Sequence, residues 1–121
     1  MSFNPRISAG DRRWPAAAQS EQPYGNAALV SARPAWLYSL SGFNSGPAQY
    51  IQLHDSAAAV SEGLDCLAGI LVPAAQWWYF DFGIGGVRFF NGIYVCNSST
   101  NPAKTIGAAD NQFLADYRFK A

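Results

Sequence analysis

Short runs in which polar and apolar residues alternate recur along this 121-residue chain and restrict the folds open to it. The clearest run is NQFLADYRFK (111–120), in which every second residue is apolar from Phe113 to Phe119. Successive side chains of a strand point to opposite faces, so this run predicts a strand with one buried face. No segment shows a convincing helical period. The chain therefore predicts an all-β fold, and its length fits one domain.

About eight such segments can be recognised, and turn-forming residues such as those of NSGP (44–47) separate many of them. The predicted strands cover residues 26–33, 35–44, 48–55, 66–72, 76–82, 87–91, 92–97 and 111–120. Many short strands without helices are typical of a single antiparallel β-sandwich or jelly roll. The continuous apolar run 66–72 is expected to be a strand buried on both faces.

Residues 1–25 differ from the rest and predict an extended N-terminal arm, followed by a β-sandwich domain over residues 26–121. Prolines interrupt the arm, and neither strand nor helix periodicity is present. It nevertheless carries Trp14 and Tyr24, which a purely disordered tail tends to lack. Two interpretations stay open: the arm lies on another protein surface, or Trp14 packs back on its own sandwich.

Charge is unevenly distributed. Residues 34–87 contain no Lys or Arg and carry a net charge of −4, whereas the segments before and after carry +2 each. A soluble monomer normally has a surface that is about a quarter to a third charged, with both signs mixed. A tract so poor in cations predicts that part of the surface is shielded by copies of the chain or by other proteins. It also argues against nucleic acid as a partner, since no basic stripe exists.

The segment QWWYFDF (76–82) is the densest aromatic stretch. Alternation places Trp77 and Tyr79 on one face and Trp78 and Phe80 on the other. One set is expected to fill the core, while the other set needs cover from a neighbouring subunit or from the arm. A sugar-stacking platform on Trp77 or Trp78 is the alternative.

Catalytic and metal-binding patterns are weak. His54 and Asp55 are adjacent, so on a strand they would point to opposite faces. A metal site would need further ligands, and His54 is the only histidine. GIGG (83–86) lacks the frame of a phosphate-binding loop and is expected to be a hairpin turn. We therefore expect no enzyme activity, no cofactor and no metal.

Cellular location and redox state are expected from the same sequence. The N-terminal residues lack the apolar stretch of a signal peptide, and no apolar run is long enough to span a bilayer, so synthesis in a cytoplasm without a membrane partner is expected. Cys66 and Cys96 are separated by 29 residues and belong to no CxxC motif. Two reduced cysteines are the favoured interpretation, and a disulfide stays possible.

Several segments resemble a known family. LYSLSGFN (37–44) and AQYIQLHD (48–55) look like the opening hairpin of small tailed-bacteriophage β-sandwich virion proteins. The stronger match is FNGIYVCNSST (90–100), followed by KTIGAAD (104–110) and FLADYR (113–118). These segments are similar to the patterns G-(I/V)-x-V-x-x-S-S-T and K-T-x-G-x-A-D that such proteins often show. The resemblance covers about residues 35–119 and excludes the arm.

This resemblance implies a structural subunit of a phage particle, without a catalytic residue set. We expect a capsid cement or decoration protein, a homotrimer that binds the outer surface of the major capsid protein and stabilises the head. The virion, assembled in the host cytoplasm, would be its location. A neck, tail or baseplate subunit, or a carbohydrate-binding module for host attachment, is the alternative. The expected interface residues are Arg6, Arg12, Arg13, Trp14, Tyr24, Trp77 and Trp78.

Overall fold

A computed structural model describes residues 24–119, and within them the fold is all-β, with eight strands and no helix. The strands are β1 (Ala27–Ser31), β2 (Ala35–Asn44), β3 (Gln49–Asp55), β4 (Ala68–Val72), β5 (Gln76–Asp81), β6 (Val87–Phe89), β7 (Ile93–Ser98) and β8 (Leu114–Phe119). They form two antiparallel sheets, and the β-sandwich prediction is confirmed. All eight predicted strand segments are present.

The first sheet has the strand order β1-β7-β3-β4. In the second sheet β2 is central, with β8 on one side. Both β5 and β6 pair with β2 on its other side: β5 lies opposite Ser39 to Asn44 and β6 opposite Ala35 to Leu37. The core between the sheets takes alternate side chains from both, including Leu37, Leu40, Ile51, Leu53, Phe89, Ile93, Val95, Phe113 and Tyr117. The predicted buried face of β8 is confirmed.

The alternation of β2 is interrupted at Tyr38. The pairing with β8 shifts between Leu37 and Ser39, which marks a β-bulge. Because the bulge reverses the alternation, Leu37 and Leu40 both point into the core, while the side chain of Trp36 lies against Arg88 on the outer side. The regular spacing of Trp36, Tyr38 and Leu40 therefore does not define one face of the strand.

Strand β4 was expected to be buried on both faces, and this prediction is wrong. It is the last strand of the first sheet and pairs only with β3. Leu71 is 59% exposed, and Ala68 is also exposed, whereas Val72 is buried. A short apolar run has the same composition at the edge of a sheet as at its centre, so the sequence alone did not distinguish the two positions.

The glycine-rich segment is not a hairpin turn. Strands β5 and β6 both run antiparallel to β2 along the same edge, so they continue one another in direction. Residues 82–86 leave that edge and return to it, with positive φ at Gly83 (85°) and Gly86 (68°). At Gly86 a Cβ would also lie 2.8 Å from the carbonyl oxygen of Leu37, so glycine is needed there for two reasons.

Long connections cover the outer face of the first sheet. Gln52 on β3 and Cys96 on β7 face each other across the sheet, and both have no exposed surface. The Gln52 amide nitrogen donates to backbone carbonyl oxygens of residues 100, 102 and 103 at 2.9, 3.3 and 3.4 Å. Lys104 Nζ donates to the carbonyl oxygen of Val60 at 2.6 Å. Residues 56–67 and 99–110 thus form a third layer over this sheet.

Candidate functional site

The outer face of the second sheet carries exposed aromatic rings. Trp77 and Tyr79 on β5 are 70% and 63% exposed, because alternation on this edge strand directs them away from the core. Across the strand pair, Trp77 lies opposite Phe43 and Tyr79 opposite Ser41. We call the surface formed by Tyr24, Phe43, Trp77 and Tyr79 the aromatic face.

Edge-to-face contacts link three of these rings. The Phe43 and Trp77 centroids are 5.0 Å apart with an interplanar angle of 64°. The Tyr24 and Phe43 centroids are 6.5 Å apart at 62°. Such arrangements match the positive edge of one ring to the negative face of the next and contribute about 0.5–1.5 kcal/mol beyond burial. The rings are therefore held in place while their outward surfaces remain open.

The side chains around the aromatic face are small and mostly uncharged, with Asp81 at the end of β5 as an exception. Ser39 and Ser41 of β2 lie opposite Asp81 and Tyr79. The serine side chains are short, so the indole of Trp77 and the phenol of Tyr79 stand above their neighbours. Asp81 is the charged residue of β5, and its carboxylate accepts a hydrogen bond from the backbone amide of Gly83 at 2.9 Å. This surface suits an apolar or aromatic contact better than an ionic one.

The opposite end of the same sheet combines rings with arginines. The Arg88 guanidinium lies between Trp36 and Phe90, 5.4 and 4.7 Å from the ring centroids. Arg118 lies 5.7 Å from the Tyr38 centroid. Arg88 Nε is buried and has no hydrogen-bond partner among residues 24–119, and the two rings lie against the guanidinium. Cation–π attraction therefore holds these arginines on the sheet.

Trp78 does not belong to the predicted interface. Its side chain is 6% exposed and packs in the core, stacked on Phe80 at 5.3 Å. Its Nε1 donates to Asn111 Oδ1 at 3.1 Å. A ring buried between the sheets cannot offer a surface to a partner, so the interface expectation for Trp78 is wrong. The alternation of β5 itself contained this information, because Trp77 and Trp78 had to face opposite sides.

The other predicted interface residues divide into two groups. Trp77 is exposed and Tyr24 is 45% exposed at the border of the aromatic face, and their role in an interface stays a prediction. The remaining residues lie outside the described part of the chain: Arg6, Arg12, Arg13 and Trp14.

A buried polar cluster beside Trp78 was not predicted from the sequence. Asn44 Oδ1 accepts hydrogen bonds from Gly46 N, Gln49 Nε2 and Asn111 Nδ2 at 2.9, 2.8 and 3.3 Å. Asp110 Oδ1 accepts from Asn97, Asn111 and Gln49 at 2.8–3.0 Å. This cluster joins the end of β2 to the segment before β8. Asparagines at the ends of apolar strands were the available signal, since buried amides need partners.

His54 and Asp55 have separate partners and do not form a catalytic pair. The amide nitrogen of Gln52 is surrounded by carbonyl oxygens, so its Oε1 faces His54, and His54 Nε2 donates to it at 3.1 Å. Asp55 instead accepts backbone N–H bonds from residues 90, 91 and 92. Burial, and then the positive charge of Lys104, lower the pKa of His54 and so favour the neutral ring.

A cavity of about 290 Å³ lies beside His54, under residues 56–65. Its lining includes Ser56, Ser61 and Asp65. The Ser56 hydroxyl donates to the carbonyl oxygen of Ala58 at 2.6 Å, so it is held in a local turn and no base activates it.

Both cysteines are free thiols, as favoured from the sequence. Cys96 is fully buried, and burial raises the pKa of its thiol to about 11. The Cys66 thiol donates to Asn101 Oδ1 at 3.2 Å, and partial burial raises its pKa as well. A thiol that stays protonated is a poor nucleophile.

Residues 24–119 contain no group of three or more His, Cys, Asp or Glu side chains that could hold a metal ion. The same residues include no helix of the length and apolarity that crossing a bilayer requires.

No family model, no curated protein and no solved structure matches the chain. The aromatic face is therefore the strongest candidate for a functional surface in the described part of the protein.

Proposed function

We propose that this chain is a structural subunit of a tailed-phage virion, and specifically a decoration protein that binds the outer surface of the major capsid protein. The observation that carries the proposal is the aromatic face. It places Trp77 and Tyr79, 70% and 63% exposed, in a tract without any cation. A row of exposed rings on a soluble domain indicates a protein contact.

The fold and the expected mode of binding support the same proposal. A compact sandwich with exposed rings on one face can sit on a shell, and aromatic residues frequently dominate binding energy at such contacts. Each contact can be weak, because subunits that also contact one another bind a multivalent surface with increased avidity. The resemblance of residues 35–119 to small tailed-bacteriophage virion proteins is the reason for proposing a phage head as the binding partner.

Binding to undecorated phage heads tests the proposal. The double variant Trp77→Ser/Tyr79→Ser should lose binding by at least about thirtyfold, as expected for a hot spot of about 2 kcal/mol. Ile84→Ser is the matched control, because Ile84 is 99% exposed but lies in the 82–86 excursion rather than on the aromatic face. Equal binding by the double variant and the control would contradict the proposal.

Copy number distinguishes a head protein from a neck, tail or baseplate subunit. A decoration protein should be present in hundreds of copies per particle, whereas a tail component would be present in about six to a few tens. Quantitative mass spectrometry of purified particles measures this number, with the major capsid protein as internal standard. A copy number of about six to a few tens would contradict the decoration role and support a neck, tail or baseplate subunit.

Carbohydrate binding is the second candidate, favoured by the open outward surfaces of Trp77 and Tyr79 on one strand. Sugars stack on flat exposed rings and need few charges. A glycan array probed with the purified protein tests this function. Binding that Trp77→Ser abolishes, without a change in the circular dichroism spectrum, would support it over the decoration role.

A further inference from the structure

The described part of the chain begins at the border of the aromatic face. Gly25 and Asn111 exchange backbone hydrogen bonds of 2.8 and 3.1 Å, which fix the position of the chain there. The ring of Tyr24, one residue earlier, contacts Phe43, and Phe43 contacts Trp77. Residues 1–23 therefore join the domain next to the exposed rings.

The length of this segment is sufficient to cross the face. Strand β5 has six residues, which corresponds to about 20 Å. The ten residue-to-residue steps from Trp14 to Tyr24 can span about 33 Å when extended. Trp14 can therefore reach both Trp77 and Tyr79.

The composition of the segment matches the chemistry of this sheet. All three arginines of residues 24–119 lie over aromatic rings: Arg33 over Phe119, Arg88 over Trp36 and Phe90, and Arg118 over Tyr38. The aromatic face has exposed rings, and its residues Phe43, Trp77 and Tyr79 lie in residues 34–87, which contain no cation. The remaining arginines of the chain are in the N-terminal segment: Arg6, Arg12 and Arg13.

We propose that residues 1–23 cover the aromatic face of their own subunit, with Trp14 against Trp77 and Tyr79. The same subunit is the favoured source because a tethered segment has an effective concentration of about a millimolar. Even a contact with an isolated Kd of about 0.1 mM would then be formed roughly ten times as often as it is broken. This inference goes beyond the proposed function, since it concerns the protein before it meets any particle.

Photo-crosslinking in the full chain tests the contact directly. Trp14 is replaced by p-benzoylphenylalanine, and the dilute protein is irradiated and analysed by mass spectrometry. Crosslinks within one chain to residues 39–44 or 76–81 are expected. Crosslinks to the covering loops 56–67 and 99–110, crosslinks between chains, or the absence of crosslinks would each overturn the inference. The same probe at Ile84, outside the face, should not reach residues 1–23.

Hydroxyl-radical footprinting of the full chain provides a second measurement. In the Trp14→Ser variant, oxidation of Trp77 and Tyr79 should rise about tenfold relative to the unsubstituted protein. This factor follows because the contact is formed roughly ten times as often as it is broken in the unsubstituted protein. Phe90 is the internal control, because its side chain is as exposed as that of Tyr79, at 63%, and lies outside the aromatic face. Unchanged oxidation of Trp77 and Tyr79 would overturn the inference. Neither measurement uses phage heads, so a failure of head binding leaves this result untouched.

Discussion

The outer faces of the two sheets differ in exposure: loops of the chain cover the first, whereas the second carries exposed rings. On the first sheet, Gln52, His54 and Cys96 are buried under the two longest connections, β3–β4 and β7–β8. On the second sheet, Trp77 and Tyr79 are open. Polar side chains can be buried on the first sheet because the backbone of the covering loops supplies their hydrogen-bond partners. The chain therefore covers the outer face of its first sheet with its own loops, whereas within residues 24–119 the rings on its second sheet stay exposed.

Among the residues of the covered face, Gln52 gives the largest expected effect on stability. Gln52→Ala removes the donor to the carbonyls of residues 100, 102 and 103 and the acceptor of His54, and leaves a small void. Such losses cost about 2–4 kcal/mol in unfolding free energy. Chemical denaturation measures the change, and Gln76→Ala on exposed β5 is the matched control, expected within about 0.5 kcal/mol. Similar values for both variants would show that the cover contributes little.

The pH dependence of stability should come partly from the covered face. The pKa of His54 is lowered in the folded state below its ordinary value of 6.5, so the unfolded chain binds more protons. Stability should therefore fall as pH decreases through 6.5 towards the folded-state pKa, by at most about 1.4 kcal/mol per pH unit. His54 is the only histidine. Denaturation at pH 7.5 and 5.5 should show a smaller difference in His54→Gln, and an unchanged difference would contradict the assignment.

Thiol labelling should separate the two cysteines. Cys96 is fully buried with a pKa of about 11, whereas Cys66 is partly exposed. An aromatic disulfide reagent at pH 8 should modify one thiol per chain in the native protein and two in denaturant. Cys66→Ser should abolish the native reaction. Rapid native labelling of that variant would show that the cover opens readily.

The smallest stability effect is expected on the aromatic face. Trp77→Ser removes the edge-to-face contact with Phe43 but little buried surface, so the unfolding free energy should fall by about 1 kcal/mol or less. Trp78→Ser, one position later in the core, should cost about 3–5 kcal/mol. Thermal or chemical denaturation of both variants provides the comparison. A large cost at Trp77 would mean that the exposed face supports the fold after all.

Much of the sandwich was predictable because alternation is a local property. The alternate exposure of Trp77, Trp78 and Tyr79 follows from the strand period alone. The core positions of Phe113 and Tyr117 follow in the same way. These features required no knowledge of which strands are neighbours.

Other features depend on pairing and could not be read from local sequence. The bulge at Tyr38 is defined by the register of β2 against β8, and the edge position of β4 by the strand order. The cover over Gln52 requires loops distant in sequence, since its partners are about 50 residues away. The glycine at position 42 of β2 indicates a close neighbour, because a Cβ there would meet the Gln112 carbonyl oxygen. The sequence alone does not show that Gln112 is this neighbour.

The excursion at residues 82–86 determines how another molecule can approach the second sheet. It divides the β5–β6 edge into two short stretches, so an incoming strand could not hydrogen-bond along its whole length. The shape of the backbone therefore disfavours extension of the sheet by repeated copies at this edge. A partner that approached from this side would therefore meet ring surfaces and two short strand edges rather than one continuous edge.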